Sequence, residues 1–146
     1  DRTDFRRANI LVQQIVPLGN RYRRIELRAQ AALTGTGGLA RVPVIYMPYV
    51  GGPTTLRGFA MSRFRDEQAV SMTAEYQWEA WWALGAAVFV DAGQVAHTVG
   101  DFAMRSFVTN YGFGLRLHSN SKFLARLDLA YGREGFRPLL GFKYGF

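Results

Sequence analysis

Phe107-Val108-Thr109-Asn110-Tyr111-Gly112-Phe113-Gly114-Leu115-Arg116-Leu117-His118 changes character at almost every step. Successive side chains of a strand point to opposite faces. Phe107, Thr109, Tyr111, Phe113, Leu115 and Leu117 therefore share one face. Val108, Asn110, Gly112, Gly114, Arg116 and His118 share the other. The run is long enough to cross hydrocarbon as a tilted strand, which takes about ten residues. Its apolar face would meet lipid and its polar face a lumen.

The pattern repeats outward in both directions. Downstream, Ser119-Asn120-Ser121 reads as a tight turn. A sixth run then sets Phe123, Ala125, Leu127, Leu129 and Tyr131 against Arg126 and Asp128. After a loop at Gly132 to Gly135, the last run places Phe136, Pro138, Leu140, Phe142, Tyr144 and Phe146 on one face. Arg137, Gly141, Lys143 and Gly145 take the other. Upstream, Leu84–Ala92 turns Gly85, Ala87, Phe89 and Asp91 inward. Val70–Glu79 turns Ser71, Thr73, Glu75, Gln77 and Glu79 inward. Arg24–Thr34 alternates cleanly, and Phe5–Val16 alternates imperfectly before the turn Pro17-Leu18-Gly19-Asn20. Trp78, Trp81 and Trp82 gather at one chain reversal, where an interfacial aromatic belt would lie.

The inward face carries Arg24, Glu26, Arg28, Glu75, Asp91, Arg116, Arg126 and Asp128. So many charges of mixed sign suit a wet lumen better than a dry core. The chain has 146 residues, enough for one domain, and no cysteine for a disulfide or thiolate metal site. Its net charge of +7 is almost wholly arginine. A basic surplus fits nucleic acid or an anionic membrane. Here the arginines are interleaved with apolar residues along strands, so no nucleic-acid partner is expected. No apolar run reaches the length of a spanning helix. The expected fold is all-β, an antiparallel transmembrane barrel of about seven strands in residues 1–146. With no secretory signal at Asp1, the expectation is a mature product or a fragment.

Residues 35–68 break the pattern, punctuated by glycines and prolines around Val44, Ile45, Tyr46, Met47, Tyr49 and Val50. A connection this long is usually functional, and its apolar middle predicts an ordered loop. A short strand there would be confined by its prolines to an edge. At its heart stands Gly51-Gly52-Pro53-Thr54-Thr55-Leu56-Arg57-Gly58-Phe59. We read Arg57 as the tip of a loop folded into the lumen and Asp91 as its receiver. A guanidinium taken out of water needs a carboxylate and several acceptors.

These residues resemble the C-terminal barrel region of the bacterial surface antigen family, the BamA-like outer-membrane insertase superfamily. The resemblance is carried by Gly51-Gly52 with Leu56-Arg57-Gly58-Phe59, by Ala74-Glu75-Tyr76, and by Phe89-Val90-Asp91-Ala92-Gly93. The ending Phe142-Lys143-Tyr144-Gly145-Phe146, continuing from Leu140, resembles the terminal aromatic strand signal read by the assembly machinery. The resemblance implies a lumen loop with Glu75 and Asp91 as wall partners, Phe89 and Gly93 belonging to the wall motif. Leu56 stands where the family more often has valine or isoleucine. It implies an integral protein of the Gram-negative outer membrane that assembles barrel proteins or secretes polypeptides. Its partners would be membrane lipid and an unfolded or passenger polypeptide. No enzyme activity, cofactor, catalytic residue or metal site is expected. His97 and His118 lack catalytic or metal-ligand spacing, and no serine–histidine arrangement supports a lipase barrel. The alternative is a passive porin-like or structural barrel.

Taking Phe146 as periplasmic, as the resemblance implies, puts the short turns inside and the long loops, including 35–68, outside. Single-chain bacterial barrels have even strand counts. Seven strands would leave an edge in lipid. The missing strands are expected from an upstream segment, another chain or an unassigned strand in the Arg57 loop.

Overall fold

Seven alternating runs form seven strands of one antiparallel sheet. The computed structural model describes residues 5–36, 42–119 and 122–142. Its strands are β1 (Phe5–Leu18), β2 (Asn20–Thr36), β3 (Tyr49–Val50), β4 (Phe64–Arg65), β5 (Gln68–Trp81), β6 (Leu84–Ala96), β7 (Val108–Ser119), β8 (Lys122–Gly132) and β9 (Gly135–Phe142). The sheet order is β1-β2-β5-β6-β7-β8-β9. It is a meander interrupted once, between β2 and β5. The only helical pieces among the described residues are three single 3₁₀ turns.

The interruption folds as its own unit. β3 and β4 pair with each other rather than with an edge of the main sheet. The ribbon packs on the inner wall against β5 and β6. Its apolar core joins Val50, Leu56 and Phe59 to Ala69, with Phe64, Val95 and Val108 alongside. Pro48 and Pro53 lie on either side of β3, and the segment fills the interior instead of joining the wall.

Accessible area separates this arrangement from a soluble globule. The chain exposes 10004 Å², against about 7,500 Å² expected of a folded monomer of this mass. On the outward face Met72, Val88, Val90, Tyr111, Phe113, Leu117, Leu127 and Leu129 are exposed. Soluble monomers rarely show contiguous apolar patches above a few hundred Å². Trp81 and Trp82, 71% and 85% exposed, cap this face at the β5–β6 turn. Among the described residues no helix is long and apolar enough to cross a membrane. Strands β2, β5 and β6, of 17, 14 and 13 residues, are long enough to do so.

Loop and turn bounds sharpen the sequence reading. β1 runs through Pro17 to Leu18, and the reversal rests on Gly19 at φ 70°. β1 also explains its imperfect alternation: Leu11 and Ile15 join Gln13 on the inward side, opposite Gln30, Glu26 and Arg28 in register. β2 extends to Thr36 and β5 starts at Gln68, so the strands reach into both ends of the 35–68 segment. Among the described residues no ladder joins β1 to β9, and no strand of the Arg57 loop enters the seven-stranded sheet.

Candidate functional site inside the wall

The chain enters the interior through Gly51 and Gly52, at φ 118° and 102°. Only glycine adopts such angles without strain. Gly52 N–H then donates to Leu56 O at 3.0 Å and to Phe59 O at 3.2 Å, while Gly51 N–H donates to Thr55 Oγ1 at 2.9 Å. This knot turns Leu56 and Phe59, both wholly buried, onto the wall. The wall is hollowed to receive them. A Cβ on Gly93 would stand 3.2 Å from Leu56 Cγ, and one on Gly132 3.2 Å from Phe59 Cε2; on the loop side, one on Gly58 would stand 2.7 Å from Asn110 Cβ.

Arg57 is 4% exposed. Its Nη2 donates to Asp91 Oδ1 at 2.9 Å and its Nε to Asp91 Oδ2 at 3.0 Å, a bidentate fork. The Arg57 backbone N–H adds a third bond to Asp91 Oδ2 at 3.2 Å. Nη1 reaches Glu75 Oε2 at 2.6 Å and Asp128 Oδ2 at 3.4 Å. The guanidinium carbon lies 3.3 Å from the Phe89 ring centroid, a cation–π contact. Burial disfavours the charged guanidinium. The Asp91 hydrogen bond and the charges of Asp91 and Glu75 outweigh that, holding Arg57 above its usual range.

The sequence reading brings together Arg57, Glu75, Phe89 and Asp91, and these meet in space. Of the inward arginines that could pair with Glu75, Arg116 is the one that closes a ring. Arg116 Nη2 donates to Glu75 Oε1 at 2.8 Å and its Nη1 to Asp128 Oδ1 at 2.5 Å. Arg57, Glu75, Arg116 and Asp128 thus alternate in sign around a closed circuit. Asp91 adds a carboxylate, and Arg126, 3.8 Å from Asp128, adds a guanidinium. The buried set is thus two guanidiniums against three carboxylates, with the partly exposed Arg126 at its rim. Asn110 Nδ2 at 2.9 Å and Thr73 Oγ1 at 3.0 Å complete the shell of Asp91. Gly112 and Gly114 mark the gap in the sequence. A Cβ on Gly112 would collide with the Phe89 ring, and one on Gly114 with Arg116 and Asp128. Two inward glycines flanking a register of inward charges are the signal that could have located the ring.

Two outer fastenings hold the same loop. Arg126 Nη2 donates to Pro53 O at 3.2 Å, and Arg63 Nε to Glu134 Oε1 at 2.7 Å. His97 lies 3.6 Å from Asp66 and 3.9 Å from Glu67, at the foot of the loop. Among the described residues no three His, Cys, Asp or Glu side chains are grouped to hold a metal. Leu140 and Phe142 are exposed on β9; Tyr144 and Phe146 lie outside the described residues.

An antiparallel wall with an apolar outer face, a charged inner face and a long loop locked inside defines a membrane β-barrel with a plugged interior. A family model for the Omp85 superfamily domain matches residues 2–143, and the chain belongs to that superfamily of outer-membrane insertases and polypeptide transporters. Comparison with curated proteins returns no match.

Proposed function

We propose that this chain is part of an outer-membrane barrel of a Gram-negative envelope that inserts barrel proteins into the membrane or moves polypeptides across it. In this reading the 35–68 loop is extracellular in origin and enters the lumen. Gly51, Gly52, Leu56, Arg57, Gly58 and Phe59 form its anchoring motif, and Glu75, Phe89, Asp91 and Gly93 form its seat. Leu140, Phe142, Tyr144 and Phe146 form the strand signal for assembly. The observation that carries the proposal is Arg57, nearly dry and bonded to carboxylates of β5, β6 and β8. A passive wall needs no such device, since a solvated loop charge costs little. A lock at this depth fixes one conformation of the interior and makes it available for regulation by a client.

The test is reconstitution of the intact protein in liposomes with an unfolded barrel client or a secreted polypeptide. Arg57→Ala is expected to slow client insertion or transport at least about tenfold, a barrier change of about 1.4 kcal/mol. Wild-type rates in folded Arg57→Ala protein would sink the proposal. Steady ion conductance without any client movement would favour the porin reading instead.

A further inference from the structure

Between the Arg57 ring and the short turns, the inner wall lines an open basin of about 470 Å³. Its charged lining is Arg24, Glu26, Arg28, Glu75, Arg116 and Arg126, four guanidiniums against two carboxylates. Both carboxylates are already engaged. Glu26 accepts from Arg28 Nη2 at 3.0 Å and from Gln13 Nε2 at 2.8 Å. Glu75 is shared by Arg57 and Arg116. Arg24 directs Nε and Nη2 at one neutral oxygen, Gln77 Oε1, at 2.9 and 2.6 Å. Arg126 meets a backbone carbonyl and stands 3.8 Å from Asp128, whose oxygens already serve Arg116 and Arg57. Neither Arg24 nor Arg126 has a carboxylate to itself among the described residues.

A fork held on an amide oxygen is shaped for a carboxylate, and exchanging one for the other strengthens both bonds. Arg24 rises from β2 and Arg126 from β8, four strand spacings apart along the wall, an arc of about 19 Å. A small anion satisfies one of them at a time. Two acidic side chains on an extended segment, advancing about 3.3 Å per residue, can engage both.

We propose that this basin docks acidic stretches of client polypeptide, held by Arg24 and Arg126. The inference rests on the insertase or transporter reading and names the client chemistry that reading leaves open. The basin lies at the strand ends that carry the short turns: Arg24 follows the start of β2 by four residues, and Arg126 that of β8 by four. Its far side is closed by Glu75 and Arg116 of the ring. A chain entering from the turn side therefore meets excess positive charge before it meets the lock.

Fluorescence anisotropy with the intact protein in detergent tests this. The probes are a labelled peptide of alternating Glu and Ser, its Gln-for-Glu counterpart, and inorganic phosphate as competitor. The acidic peptide should bind at least about tenfold tighter than the Gln peptide, and the preference should shrink as salt screens the charges. Arg24→Gln and Arg126→Gln should each remove most of that preference, and Arg105→Gln, in an exposed loop, none. If Arg126→Gln fails to fold by gel heat-shift, Arg24→Gln, outside the ring, decides alone. Equal binding of both peptides, unchanged preference in folded Arg24→Gln, or full displacement by phosphate at equal concentration would overturn the basin. Client insertion or transport measured in parallel separates the two claims. Normal activity with no acidic preference sinks the basin alone, and acidic preference without client movement sinks the transport reading alone.

Discussion

At the scale of single residues, the interior is governed by one balance of charges. Arg57→Ala would leave Asp91, Glu75 and Asp128 with one cation fewer in a nearly dry site. Removing one partner of such a set costs about 3–5 kcal/mol. Arg57→Lys keeps the charge but loses the planar fork on Asp91, so it should fall between wild type and alanine. Denaturant unfolding in micelles measures both, and an alanine variant as stable as wild type would contradict the account. Arg57 and Asp91 were legible in the sequence because a glycine-flanked arginine outside any strand pattern demands an inward acceptor. Arg116 was legible as one of several inward arginines that could pair with Glu75, and Asp128 only as an inward charge. Their partnership depends on the β7–β8 register that sets Gly114 beside Asp128, and no single run records it.

Among the elements, strands were the most legible because period-two alternation reports directly on which face meets lipid. β5, β6, β7 and β8 follow it closely. β1 does not, since its inward face carries Leu11 and Ile15, and its extent is set instead by the ladder to β2. The connection 97–107 shows local chemistry overriding pattern. Thr98 N–H and Oγ1 donate to Asp101 Oδ2 at 2.9 and 2.8 Å, closing a capping box on a 3₁₀ turn. The Thr98 hydroxyl, then its amide, hold the exposed Asp101 carboxyl below its usual range. A lowered folded pKa means that the box contributes above the unfolded value of about 3.9. That contribution disappears as pH falls through the lower folded value. An NMR titration should place Asp101 lower than in a Thr98→Ala variant; equal midpoints would contradict the box. For the last strand, deletion of Phe146 should slow assembly in cells more than it lowers the stability of folded protein. Equal assembly with and without Phe146 would remove its role as a signal.

For the whole molecule, the sheet ends at β1 and β9, each paired on one side only among the described residues. Unpaired backbone facing lipid costs several kcal/mol per group. We therefore expect further strands, from another segment or another chain, to cover these edges in the membrane. Hydrogen exchange on the intact embedded protein should show the outer amides of β1 protected; free exchange along that edge would contradict closure. The central claim is that the Arg57 loop is docked in the interior by its ring. Leu56 lies against Gly93, so a Leu56→Cys/Gly93→Cys pair reports docking directly. Under mild oxidation in intact membranes, the pair should cross-link nearly completely and resist an impermeant thiol reagent, and adding Arg57→Ala should release it. No cross-link in the otherwise native protein, with Leu56→Cys labelled freely from outside, would contradict the account.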